Sequence, residues 1–242
     1  MPMTALDIDA YPGGDVHAVL CDMDGTLVDT ERSWFATEVS VMADFGYDLG
    51  AEHAVRLLGS PMEPAVAYLL DVSGIDVAPG ELERRINARM VDILRLGVDL
   101  RPGAKRLLGE LGAAGVPLAL VTASYRAIVD AVLPSLGAHH FHLTVSGDEV
   151  VNSKPHPEPY LTAAAGLGVD PARCVVLEDS PTGVASGEAA GCIVVAVPSM
   201  NHITPGPRRT IVPSLEGVDL PMLDLLARRR AGGAEAPAGV TG

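Results

Sequence analysis

Two carboxylates, Asp22 and Asp24, stand in the string Asp22-Met23-Asp24-Gly25-Thr26-Leu27-Val28-Asp29-Thr30, directly after a short apolar run at 17–21. A run of that length reads as a strand, and Gly25 ends it. Alternation along an extended chain turns residues i and i+2 to one side. Both acids are therefore expected to face one small volume at the carboxyl edge of a sheet, where open α/β sheets bind ligands. Acids crowded together repel unless a cation or a proton lies between them, and that asks for a metal. Alone, Asp-x-Asp-Gly is an ordinary strand-end turn. Three companions further along the chain change its meaning.

The first companion is Thr122-Ala123-Ser124, which follows an apolar run and precedes a helical pattern. A hydroxyl and free amides at a helix start can bind an anion, although taken alone Thr122 or Ser124 reads as a helix cap. The second is Lys154, in Asn152-Ser153-Lys154-Pro155-His156-Pro157, where the prolines are expected to hold the backbone extended and so aim the lysine. His156 reads as a surface residue. The third is Glu178-Asp179-Ser180, which ends an apolar strand pattern; Asp179 or Ser180 could also cap the next helix. Two unit charges 4 Å apart interact by about 4 kcal/mol at an effective dielectric of about 20. Asp22, Asp24, Asp179 and a phosphate would thus repel strongly, and one divalent ion with Lys154 offsets most of that. Oxygen ligands of this kind suit Mg²⁺, and the set outlines a phosphoryl-transfer site.

The elements that must position these residues alternate. Strand patterns at 16–22, 117–122, 143–145, 174–177 and 193–197 are separated by helical ones at 104–114, around 128–133, at 158–167 and at 182–190, with a last helical segment at 214–230. Such alternation implies a parallel sheet covered on both faces. Between 31 and 97 only helical patterns occur, including the stripe Trp34, Phe35, Glu38, Val39, Val41, Met42 and Phe45. The expected fold is α/β: a Rossmann-like parallel core (15–30 and 98–230) with an inserted helical cap (31–97) over Asp22, reached through linkers near 27–31 and 97–102. Residues 1–14 and 231–242 read as flexible tails.

The chain has 242 residues, a net charge of −14 and a pI near 4.7, which argue against nucleic acid or an acidic membrane as partner. No run approaches the ~20 apolar residues of a membrane span, and no signal-peptide pattern is present. Cys21, Cys174 and Cys192 lie in or beside apolar runs without metal-site spacing, so buried thiols of a cytoplasmic protein are expected. Nothing suggests an obligate interface, so a monomer is expected.

Taken together, these residues resemble the haloacid dehalogenase superfamily of phosphohydrolases. Asp22-Met23-Asp24-Gly25-Thr26 is similar to its first motif, and Thr122, Lys154 and Glu178-Asp179 to the second, third and fourth. The helical insert resembles the small cap of the subgroup with β-phosphoglucomutase, phosphoglycolate phosphatase and sugar-phosphate phosphatases. The resemblance implies that Asp22 attacks phosphorus to form an aspartyl-phosphate, and that Asp24 protonates the leaving oxygen and then activates water. It implies that Asp22, Asp24 (also through its carbonyl) and Asp179 hold Mg²⁺ with Glu178 nearby, and that Thr122 and Lys154 hold the phosphoryl group. Gly59 and Ser60 would form the cap loop that approaches the substrate. A β-phosphoglucomutase is expected to carry a histidine where Trp34 stands and an arginine near Met62. Their absence favours a phosphatase of a small phosphorylated metabolite, a sugar or polyol phosphate. The alternatives are a mutase and a non-catalytic binding protein on the same fold. Trp34 could stack on substrate or lie in the cap core.

Overall fold

The computed structural model describes residues 14–58, 60, 62–200 and 202–232. Its centre is a parallel sheet of β1 (Ala18–Cys21), β2 (Leu118–Val121), β3 (Leu143–Val145), β4 (Cys174–Glu178), β5 (Ile193–Ala196) and β6 (Arg209–Ile211), in the order β3-β2-β1-β4-β5-β6. β1 is central, pairing Val19 with Leu118 on one side and with Val175 on the other. This is the expected α/β class. The edge strand β6 has no counterpart in the expected elements. It is three residues long, and Arg209-Thr210-Ile211 is at least partly exposed throughout, so it lacks the apolar run that marks the buried strands.

Alternate residues of the strands feed two apolar layers. Val19, Cys21, Leu120, Val175, Leu177 and Val195 pack with α5 (Ala104–Ala113), α6 (Arg126–Leu136) and α9 (Leu220–Ala231). Ala18, Leu20, Val121, Val176 and Val194 pack with α7 (Glu158–Gly166) and α8 (Pro181–Ala189). The three cysteines are buried and unpaired. Among the described residues no helix is long and apolar enough to cross a membrane.

Helices α1 (Glu31–Asp44), α2 (Ala54–Leu57), α3 (Met62–Ser73) and α4 (Pro79–Leu94) lie between β1 and α5 in sequence. They share an apolar cluster of their own, built from Val41, Met42, Leu57, Val66, Leu69, Leu82 and Ile86. The far end of α4 leaves it: Met90, Val91 and Leu94 join the sheet-side core. The strands of chain entering and leaving this region lie side by side, with Asp29 N–H donating to Asp99 O and Arg101 N–H to Leu27 O, both at 2.9 Å. The tails expected at 1–14 and 231–242 fall almost wholly outside the described residues; α9 itself continues through Ala231.

Candidate active site

β1 ends at Cys21, and the chain turns at once, with Leu27 and Val28 N–H both bonded to Met23 O. Gly25 makes this turn at φ +81°, and a Cβ there would stand 2.1 Å from Asp179 Oδ2. Glycine is needed for both the dihedral and the close approach. The turn brings Asp22 and Asp24 to a cavity of about 290 Å³ between the carboxyl edge of the sheet and helices α1, α3 and α4. Thr122, Ala123, Ser124, Lys154 and Asp179 line the same cavity, as do Trp34, Glu38, Ser60, Met62 and Asn87. Trp34 also packs against both the helical cluster and the sheet-side core, so its stacking and core roles are not exclusive. Gly59 lies outside the described residues.

Asp22, Glu178 and Asp179 converge, each offering a carboxylate oxygen within 4.8 Å of the others. Lys154 Nζ sits among them, 2.7 Å from Asp22 Oδ1, 2.6 Å from Glu178 Oε1 and 2.9 Å from Val121 O. Burial works against the Lys154 charge, but Asp22 and Glu178 outweigh it and hold the ammonium above its ordinary range. Burial first, then Glu178 and Asp179, push Asp22 well above the usual carboxylate range, against the pull of Lys154. One ammonium against three carboxylates leaves negative charge over, and Asp22 Oδ2 is sealed from solvent without a hydrogen-bond partner among the described residues. A buried, unpaired oxygen in an all-oxygen set fits a hard divalent cation.

The two acids of the first string do not play the same part. Asp24 turns its carboxylate away from the cluster, accepting from Thr30 Oγ1 at 2.6 Å, Ser124 Oγ at 2.7 Å and Thr122 Oγ1 at 3.3 Å. Its side chain is not one of the group formed by Asp22, Glu178 and Asp179, and three hydroxyls bind it. Thr122 and Ser124 do not cap α6; its first amide, Arg126 N–H, is capped at 2.9 Å by Asp148 Oδ1 from a neighbouring loop. Ser180, not Asp179, caps α8, accepting from Gly183 N–H at 3.0 Å, which leaves Asp179 for the cluster. The Lys154 loop is a turn rather than an extended run. Its Lys154–Pro155 peptide is cis, and Pro157 takes helical dihedrals as the N-cap of α7.

Glu178 is fully buried, and both its oxygens are occupied. Oε1 accepts from Lys154 and, at 3.0 Å, from Tyr160 Oη; Oε2 accepts from Ser180 N–H and Oγ. It holds Lys154 in place. Tyr160 adds its ring, 5.0 Å from Lys154 Nζ, and Gly183 leaves room for Glu178, since a Cβ there would meet Oε1 at 1.6 Å. Sequence reasoning missed Tyr160, Thr30, and Ser199, whose hydroxyl bonds Asp179 Oδ2. None of them carries a local signal. Tyr160 reads as one more apolar residue of its helix, and Ser199 follows the last buried strand in an unpatterned loop.

The residues 19–197 match the family model described as haloacid dehalogenase-like hydrolase. The "Probable pseudouridine-5'-phosphatase" of Drosophila melanogaster is 35% identical over 75% of this chain and 81% of its own. Hexitol phosphatase B of Escherichia coli is 31% identical over 76% of this chain and 84% of its own. The solved structure of a CbbY variant from Rhodobacter sphaeroides with xylulose-(1,5)bisphosphate superposes with a TM-score of 0.77 at 27% identity, covering 86% of this chain and 99% of that one. The chain belongs to the haloacid dehalogenase-like hydrolase family and is an enzyme of its phosphatase group.

Proposed function

We propose that the enzyme hydrolyses the phosphate ester of a small polyhydroxylated metabolite, a sugar or polyol phosphate, with Asp22 as nucleophile and Mg²⁺ as cofactor. The observation that carries this reading is the Asp22 carboxylate, with one oxygen fixed by Lys154 and the other buried without a donor among the described residues. Asp22 and Asp179 would hold the cation through their side chains and Asp24 through its main-chain carbonyl, with Glu178 behind them. Bound there, Mg²⁺ would neutralise the surplus carboxylate charge and withdraw charge from the phosphoryl oxygens.

In this reading Asp22 attacks phosphorus and the ester oxygen leaves, giving an aspartyl-phosphate that water then cleaves to free phosphate. Asp24 gives the leaving oxygen a proton and then takes one from the attacking water. Thr30 and Ser124 orient it for both steps. Lys154 and Thr122, with the amides of Ala123 and Ser124, hold the phosphoryl oxygens. Helices α1 to α4 act as a cap domain that shapes the space for the leaving group, with Ser60 lining the cavity from its loop. The acidic chain and its buried thiols support a monomer in a reducing cytoplasm.

One observation weighs against a phosphomutase. Among the described residues Lys154 is the only basic side chain lining the cavity, and Trp34 and Met62 cannot bind the second phosphate that a mutase must retain. The test is phosphate release from a panel of sugar and polyol phosphates with and without Mg²⁺, with isomer formation followed separately. Mg²⁺-dependent release supports the reading. Isomer without release makes the protein a mutase; silence on the whole panel points to a substrate outside it or to the binding-protein reading, and ligand-dependent thermal shifts separate those two.

A further inference from the structure

Glu38 lies on α1 among the residues of the apolar stripe, yet it is a carboxylic acid only 4% exposed. Its Oε2 is sealed from solvent and has no hydrogen-bond partner among the described residues. Buried polar atoms in folded proteins are nearly always paired, and an orphan costs free energy. The neighbouring Thr37 hydroxyl does not serve it, being engaged with Ser33 O and Met90 Sδ. Glu38 is not isolated from function, however. It lines the cavity that holds Asp22, Asp24 and Lys154, on the wall formed by α1, α3 and α4, with Trp34 and Asn87.

We infer that Glu38 receives hydroxyl groups of the substrate's leaving group and so selects polyhydroxylated phosphate esters over alkyl ones. The wall has the parts such a group needs: a carboxyl to pair with O–H, an amide in Asn87 that both donates and accepts, and an indole in Trp34 for the C–H face of the carbon chain. Burial raises the Glu38 carboxyl to about 7. Near neutrality it therefore hydrogen-bonds as an acid as readily as an anion, which suits alcohols better than a fixed ammonium. The inference rests on the proposed phosphatase reading and adds to it the residue that reads the substrate.

The test compares kcat/KM for a hexitol phosphate with that for n-hexyl phosphate, which has the same chain length and no free hydroxyls, and uses acetyl phosphate as a third substrate. The wild-type enzyme is expected to prefer the hexitol ester by about tenfold or more, because the alkyl chain leaves Glu38 unpaired. Glu38→Leu is expected to collapse that ratio, and Glu38→Gln to give an intermediate one. A wild-type enzyme that turns over acetyl phosphate but does not distinguish the two esters overturns the inference and leaves the phosphatase reading standing, whether or not the variants fold. A Glu38→Leu enzyme with the wild-type ratio overturns it in the same way. A wild-type enzyme that releases phosphate from none of the three sinks both.

Discussion

Lys154 Nζ lies 2.7 Å from Asp22 Oδ1, while Oδ2 of the same carboxylate is sealed from solvent and meets no donor among the described residues. The pair is therefore asymmetric. One oxygen is fixed by a cation that Glu178, Tyr160 and the Val121 carbonyl hold in position. The other is left with buried charge that only a cation, a proton or an electrophile can satisfy. In the proposed chemistry this keeps Asp22 oriented while it remains reactive.

Lys154→Met keeps much of the side-chain volume and removes the ammonium. Asp22 and Glu178 would then be buried acids without their counterion. Breaking a buried pair from one side costs about 3–5 kcal/mol, so the variant should unfold in urea at a clearly lower midpoint when Mg²⁺ is left out. An unchanged midpoint would show that protonation of the carboxylates relieves the charge, and that Lys154 is there for the phosphoryl group alone.

Gly25→Ala and Gly191→Ala separate backbone strain from the cation site. Both glycines have positive φ, +81° and +83°, and each alanine should cost roughly 1–2 kcal/mol of strain. Only the Gly25 Cβ meets Asp179, at 2.1 Å from Oδ2; the Gly191 Cβ meets nothing within 4 Å. Activity titrated with Mg²⁺ should half-saturate at a concentration at least about tenfold higher in Gly25→Ala, and at the wild-type concentration in Gly191→Ala. Equal shifts in both would contradict a role for Asp179 in holding the cation.

Glu38 makes stability depend on pH in a direction the structure fixes. Its carboxyl is raised by burial from 4.5 to about 7 in the folded chain. The unfolded chain therefore loses this proton first as pH rises. The folded state is favoured below about 4.5 and loses that contribution progressively until pH passes about 7. Glu38→Gln removes the titration. Relative to the wild type it should gain stability between pH 5 and pH 8, by no more than about 3 kcal/mol. Thermal melts of both proteins at the two pH values give the difference, and a gap that does not change with pH would contradict the assignment.

The sheet was legible because its strands are continuous apolar runs, and the order of Asp22, Thr122, Lys154 and Asp179 along the chain follows from that alternation. The edge strand at Arg209–Ile211 was not, because an exposed strand of three residues has no apolar pattern. Within the site, the direction of each side chain depends on distant partners. Asp24 is turned by Thr30 and Ser124, and Glu178 is claimed by Lys154, Tyr160 and Ser180. Alternation along β1 could place two acids at one edge, but it could not say which would be bound by hydroxyls. Glu38 fits the helical stripe by position, and only the structure shows that its carboxyl is buried beside the cavity instead of reaching solvent.

The most direct test of the account is to mix the enzyme with a hexitol phosphate and Mg²⁺, quench in acid within a single turnover, and map the phosphoryl group by mass spectrometry. A phosphorylated peptide carrying the modification on Asp22 is expected, absent from Asp22→Asn, which should fold as the wild type does and release no phosphate. Turnover that persists in Asp22→Asn, or a phosphoryl group found on another residue, would contradict it.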